Sequence, residues 1–108
     1  MATKKQFLKS KPVVKVTFEV SAEAAQGASE VFVLCEALDW EKQPLKKFKA
    51  GHFKATLNLP TDAKEDYEYR YCLVMEDGSE KYDNDWEAES YRPNGSGEDN
   101  SVVSVVAA

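Results

Sequence analysis

The stretch Glu68-Tyr69-Arg70-Tyr71-Cys72-Leu73-Val74-Met75, continued by Glu76-Asp77-Gly78-Ser79 and then by Glu80-Lys81-Tyr82-Asp83-Asn84-Asp85, decides the fold. Aromatic and polar residues alternate with period two up to an Asp-Gly pair, which is the pattern of a β-hairpin. Alternation sends Tyr67, Tyr69, Tyr71, Leu73 and Met75 to one face and Glu68, Arg70, Cys72, Val74 and Glu76 to the other. The first set suits packing against a second sheet, which turns Arg70 outward. The position of Tyr82 depends on the turn. With Asp77-Gly78 as a two-residue turn, Tyr82 pairs with Leu73 and enters the core face. With a three-residue loop from Asp77 to Ser79 and a bulge, it pairs with Val74 and joins Arg70 outside. The sequence leaves both registers open.

Working outward, Val14, Val16, Phe18 and Val20 alternate with Lys15, Thr17 and Glu19, a half-buried strand. Ser21 to Gly27 reads as a short helical turn, capped by Ser21 and ended by Gly27. Glu30 to Cys35 is apolar on both faces, as in a strand at the middle of a sheet. A strand around Leu45 to Phe48 and another over His52 to Leu59 follow, the second placing Phe53, Ala55, Leu57 and Leu59 on one side. The segment from Asp85 to Pro93 reads as irregular, 94–100 as loop, and Ser101 to Val106 as a last strand. Short strands punctuated by Gly, Pro and Asp predict an all-β fold, an antiparallel β-sandwich of about seven strands.

A chain of 108 residues has room for one core. Residues 1–11, with Lys4, Lys5, Lys9 and Lys11, read as a flexible arm, and 12–106 as the sandwich. A net charge of −5 repels a phosphate backbone and argues against nucleic acid. No apolar run is long enough to span a bilayer and the N-terminus has no hydrophobic signal core, so a cytoplasmic protein with no membrane partner is expected. Cys35 and Cys72 lie in apolar strands, where free thiols act as small hydrophobes.

Chemistry-bearing constellations are sparse. His52, the single histidine, has no nucleophile motif beside it. The acidic cluster Asp83, Asn84, Asp85, Glu87 and Glu89 lacks the spacing and glycine of a calcium loop. No enzyme activity, metal or cofactor is expected. What stands out is a set of polar and aromatic groups read as outward-facing: Trp40, Arg70, Tyr82, Trp86 and Asn100. A sugar ring has an apolar C–H face and a rim of hydroxyls, so it needs a flat aromatic platform flanked by donors and acceptors. Trp40 and Tyr82 are candidate platforms; Arg70 and Asn100 are candidate hydrogen-bonding partners. The competing readings are core or edge packing for Tyr82, a cross-strand ion pair with a carboxylate such as Asp83 for Arg70, and a loop brace for Asn100.

Several of these residues sit in an ordered set: Leu38-Asp39-Trp40, Pro44-Leu45, Gly51 through Pro60, Tyr67-Glu68-Tyr69-Arg70-Tyr71, Asp77-Gly78, Asn84-Asp85 and Asn100-Ser101-Val102-Val103. In these motifs, over about Pro12 to Val106, the chain resembles family-48 carbohydrate-binding modules. These are the early-set, immunoglobulin-like domains at the N-terminus of isoamylases and glycogen-branching enzymes and in the β subunit of AMP-activated kinase. The resemblance implies a non-catalytic module that binds α-glucan, such as glycogen, starch or maltooligosaccharide. It also implies Trp40 and Tyr82 as the stacking rings, Tyr82 standing where the family has a second Trp, with Arg70 and Asn100 as the hydrogen-bonding residues. A monomer is expected, with a glycogen-metabolising enzyme as a further partner. The alternative of a different class is a protein-interaction domain on the same sandwich that has lost the sugar.

Overall fold

The two most clearly alternating strands each lie within a different sheet. The structure, a computed structural model, describes residues 4–86, 88–93, 95 and 97–106. Strand β2 (Val13–Val20) buries Val14, Val16, Phe18 and Val20, and β7 (Asp66–Val74) buries Tyr67, Tyr69, Tyr71 and Leu73. These inner faces meet where the Phe18 ring packs edge-on against Tyr69, centroids 5.0 Å apart. Each fully buried Phe or Leu in such an interface contributes about 1.5–3 kcal/mol.

One sheet is four-stranded in the order β1 (Lys4–Phe7), β2, β6 (Phe53–Pro60), β5 (Lys46–Lys47). The other runs β4 (Gln43–Pro44), β3 (Glu30–Cys35), β7, β10 (Asp99–Ser104), β9 (Ser90–Pro93), with β8 (Glu80–Asp83) also on β7. All pairings are antiparallel. The molecule is therefore an all-β sandwich, as the alternation requires, with ten strands among the described residues rather than about seven. The additional strands are two to four residues long, too short to carry a readable period, and their hydrogen bonds come from edges that longer strands leave open. Two expectations change for that reason. Residues 4–7 of the arm pair with β2, Lys4 opposite Thr17 and Phe7 opposite Val14. The end of the segment read as irregular forms β9, with Arg92 opposite Asn100.

The helical turn α1 (Ala22–Ala25) starts as its sequence dictates: the Ser21 hydroxyl accepts a hydrogen bond from the Ala24 N–H. Gln26 and Gly27 end it in the left-handed region.

Strand β7 changes partner halfway along one edge. Asp66 to Tyr69 pair with β10, while Tyr71 to Val74 pair with β8, so Arg70 sits at the seam between the two ladders. Side chains close that seam from behind. Tyr69 donates its hydroxyl to Asp85 at 2.7 Å, the Asp85 N–H donates to Ser101 Oγ at 2.9 Å, and Ser101 donates to Asn84 Oδ1 at 3.0 Å. Asn84 in turn donates to the Asp99 carbonyl at 2.6 Å, and Tyr91 donates to the Asp85 carbonyl. Asp85 is 2% exposed, and burial of a carboxylate is tolerable only with hydrogen bonds of this kind.

Candidate binding face

The outer face of the larger sheet follows from register. Cys72 is flanked by Phe32 of β3 and Tyr82 of β8, and Phe32 by Pro44 of β4, which makes one cross-strand row. In the neighbouring row Arg70 lies opposite Leu34, and the pairing of Ser101 with Tyr69 places Asn100 at the next position, beside Arg70. The hairpin adopts neither anticipated register. Its loop spans Met75 to Ser79, closed by the Met75 N–H on the Ser79 carbonyl at 2.8 Å and by Asp77 Oδ1 accepting from Ser79. Tyr82 consequently pairs with Cys72. The longer loop moves the pairing an even number of residues from the Val74 register, so Tyr82 stays on the Arg70 face.

Tyr82 is 47% exposed, and the Arg70 guanidinium carbon lies 5.5 Å from its ring centre. Contacts of this type are worth about 0.5–1 kcal/mol at exposed sites. The neighbouring Cys72 thiol and then the Glu80 carboxylate push the Tyr82 hydroxyl above the ordinary tyrosine value. Beneath the ring, Cys72 is fully buried, and burial raises its thiol too. The competing reading of Arg70, a cross-strand ion pair with a carboxylate such as Asp83, gives way to a pair with a loop residue: its Nη2 donates to Glu98 at 3.1 Å. Asp83 instead accepts from the Trp86 indole N–H at 3.1 Å and from the Asn84 N–H.

Asn100 faces the same way but is 6% exposed, against the expectation of an open polar contact. Its Nδ2 donates to Glu68 at 3.0 Å, and Glu68 also accepts from Arg92. Arg70 Nε and Asn100 Oδ1 are buried without a hydrogen-bond partner among the described residues.

Trp40 occupies the loop that carries the chain from β3 to β4. A 3-10 turn over Glu36–Leu38 is followed by Asp39 at φ +57° and Trp40 at φ +61°, with the Trp40 N–H donating to the Cys35 carbonyl at 3.0 Å. The residue is 38% exposed. Among the described residues, no ring contact or side-chain hydrogen bond joins it to Arg70, Tyr82 or Asn100. Two residues on, Lys42 reaches back over the face, 5.5 Å from the Phe32 ring centre and 2.6 Å from Glu80. Trp40 thus belongs to the β3–β4 connection, and the other three to strands β7, β8 and β10.

Lys42, Phe32, Glu68 and Glu98 complete the face and were not singled out from sequence. Phe32 carried a signal, since a strand apolar on both sides must cover something outside the core. Glu87 of the acidic cluster and Asn94 and Ser96 of the Gly-containing loop lie outside the described residues. Among the described residues, no group of three His, Cys, Asp or Glu is arranged to hold a metal, Cys35 and Cys72 are free thiols, and no helix is long and apolar enough to cross a membrane. No protein-family model matches the chain, and no curated protein matches it.

Proposed function

We propose that the chain is a non-catalytic α-glucan-binding module, and that the outer face of β3, β7 and β8 with the Trp40 loop is its sugar site. One observation carries this reading: an exposed phenol ring with a guanidinium 5.5 Å from its centre, on the side of the sheet away from the core. A ring platform bordered by a planar fork of donors is what a pyranose with one C–H face and equatorial hydroxyls requires. The resemblance to family-48 modules supports the same four residues, Trp40, Arg70, Tyr82 and Asn100. An exposed Trp40 on the β3–β4 loop would add a second ring to the platform, which suits an oligosaccharide rather than a monosaccharide.

Affinity for such an open face is modest, because each stacked ring adds about 0.5–1.5 kcal/mol and sugar hydroxyls exchange one hydrogen bond for another with water. Titration with maltoheptaose, followed by indole fluorescence and amide chemical shifts, tests the reading. Shifts confined to residues of this face, and lost in Trp40→Ala and Tyr82→Ala, are expected. A spectrum unmoved by sugar would sink it.

A further inference from the structure

In the free protein Arg70 is already engaged by a carboxylate. Its Nη2 bonds Glu98 at 3.1 Å, and the two side chains are unequally covered, Arg70 19% exposed and Glu98 61%. Glu98 follows Gly95 and Gly97, both at positive φ, and precedes β10 by one residue and Asn100 by two. Next to this pair a buried donor, Arg70 Nε, and a buried acceptor, Asn100 Oδ1, have no partner among the described residues. The free state therefore satisfies the charge of the guanidinium while leaving unmet a donor and an acceptor beside it. Two sugar hydroxyls, each able to give and accept, could meet both; a carboxylate only accepts.

Building on the glucan reading above, we infer that Glu98 is an internal stand-in for the ligand. Its side chain has to swing off Arg70 before sugar binds, and its charge makes the face select uncharged glycans over acidic ones such as uronates or phosphorylated glucans. An acidic ligand would have to replace one carboxylate by another at the same guanidinium while repelling the first. A neutral glucan only displaces a weak, solvent-exposed ion pair. Two consequences follow. The fraction of molecules with Arg70 released scales the apparent affinity. Because salt screens the pair, affinity for a neutral sugar rises with ionic strength, the opposite of what charge-driven binding gives.

The test uses the full chain as wild type, Glu98→Gln and Glu98→Ala, each titrated with maltoheptaose and with an oligogalacturonate of similar length at low and high NaCl. Wild type is expected to bind maltoheptaose more tightly as salt rises and to exclude the acidic oligomer. Both variants should bind maltoheptaose about two- to fivefold tighter at low salt, show no salt response and admit the acidic oligomer, with unchanged melting temperature. Variants that keep wild-type affinity and salt response overturn the role of Glu98 and leave the glucan reading intact. Exclusion of the acidic oligomer by all three proteins removes the selection, and failure of all three to bind maltoheptaose removes both the reading and the inference.

Discussion

The guanidinium of Arg70 lies 5.5 Å from the ring centre of Tyr82, although the two residues are on different strands and Tyr82 pairs with Cys72 rather than with Arg70. The ring leans diagonally across the seam in the sheet, and the cation steadies it there. Tyr82→Ala should reduce maltoheptaose affinity about five- to tenfold, the equivalent of one stacked ring. Tyr82→Phe should retain most of the affinity and Tyr82→Trp should raise it. Parallel denaturant melts should place all three within about 1 kcal/mol of wild type, since the residue is half exposed and its cation contact is weak.

Trp40 holds a backbone conformation that costs a residue with a Cβ about 1–2 kcal/mol. Trp40→Ala and Trp40→Gly both remove the indole and should both weaken sugar binding. They should separate in stability. Glycine relieves the strain but adds freedom to the unfolded chain, so the glycine variant is expected to be more stable than the alanine variant by roughly 0.5–1 kcal/mol. Equal stabilities in urea would show that the loop relaxes when the indole is gone.

Tyr69 and Asp85 form a buried hydrogen bond of 2.7 Å behind the face. Tyr69→Phe keeps the ring that packs on Phe18 but withdraws the hydroxyl from a carboxylate in the interior. It should cost about 1–3 kcal/mol, more than Tyr82→Phe, and should loosen the amide protons of 84–86 in hydrogen exchange. Loss of sugar affinity is expected only to the extent that the seam opens.

Burial lifts the Cys35 thiol from 9.0 to about 11 and pushes the hydroxyls of Tyr69 and Tyr71 well above the usual tyrosine value. In each case the unfolded chain releases its proton at lower pH than the folded one. The share of stability that these groups give is therefore full below pH 9 and falls as pH rises, the Cys35 part being lost between pH 9 and about 11. A single such group contributes a slope of about 1.4 kcal/mol per pH unit. Urea melts across this range should show the decline, and Cys35→Ala should be less stable at neutral pH but lose less between pH 9 and 11. A wild-type protein whose midpoint stays constant to pH 11 would contradict the burial of these groups.

The strands that sequence made legible are those in which side chains decide everything. Val14 to Val20 and Tyr67 to Leu73 alternate for long enough that only one face can be the core, and those residues are buried as expected. Trp40, in a polar loop, and Arg70, between two core-facing tyrosines, were legible as outward residues, whereas the side taken by Tyr82 was left open by the turn. The parts that could not be read depend on distant pieces of chain. Lys4–Phe7 and Ser90–Pro93 are strands only because an edge is available to them. The hairpin register came from a five-residue loop braced by Asp77, which the Asp-Gly pair alone does not specify. Asn100 falls in a stretch that reads as loop, yet it lies in β10, where Glu68 from the neighbouring strand engages its amide. Glu98 lay in a loop with no period at all, so nothing local tied it to Arg70, 28 positions earlier.

The change of partner along β7 also has a dynamic meaning. A ladder interrupted at Arg70 does not unzip as one piece: β8 can fray while β10 stays paired, because they share an edge without sharing hydrogen-bonded residues. Fraying of β8 takes the phenol away from the guanidinium and leaves the asparagine where it was. Grip on any occupant would then depend on how often a four-residue strand is in place, so a short strand of the sheet, not its core, would set the lifetime of whatever rests there.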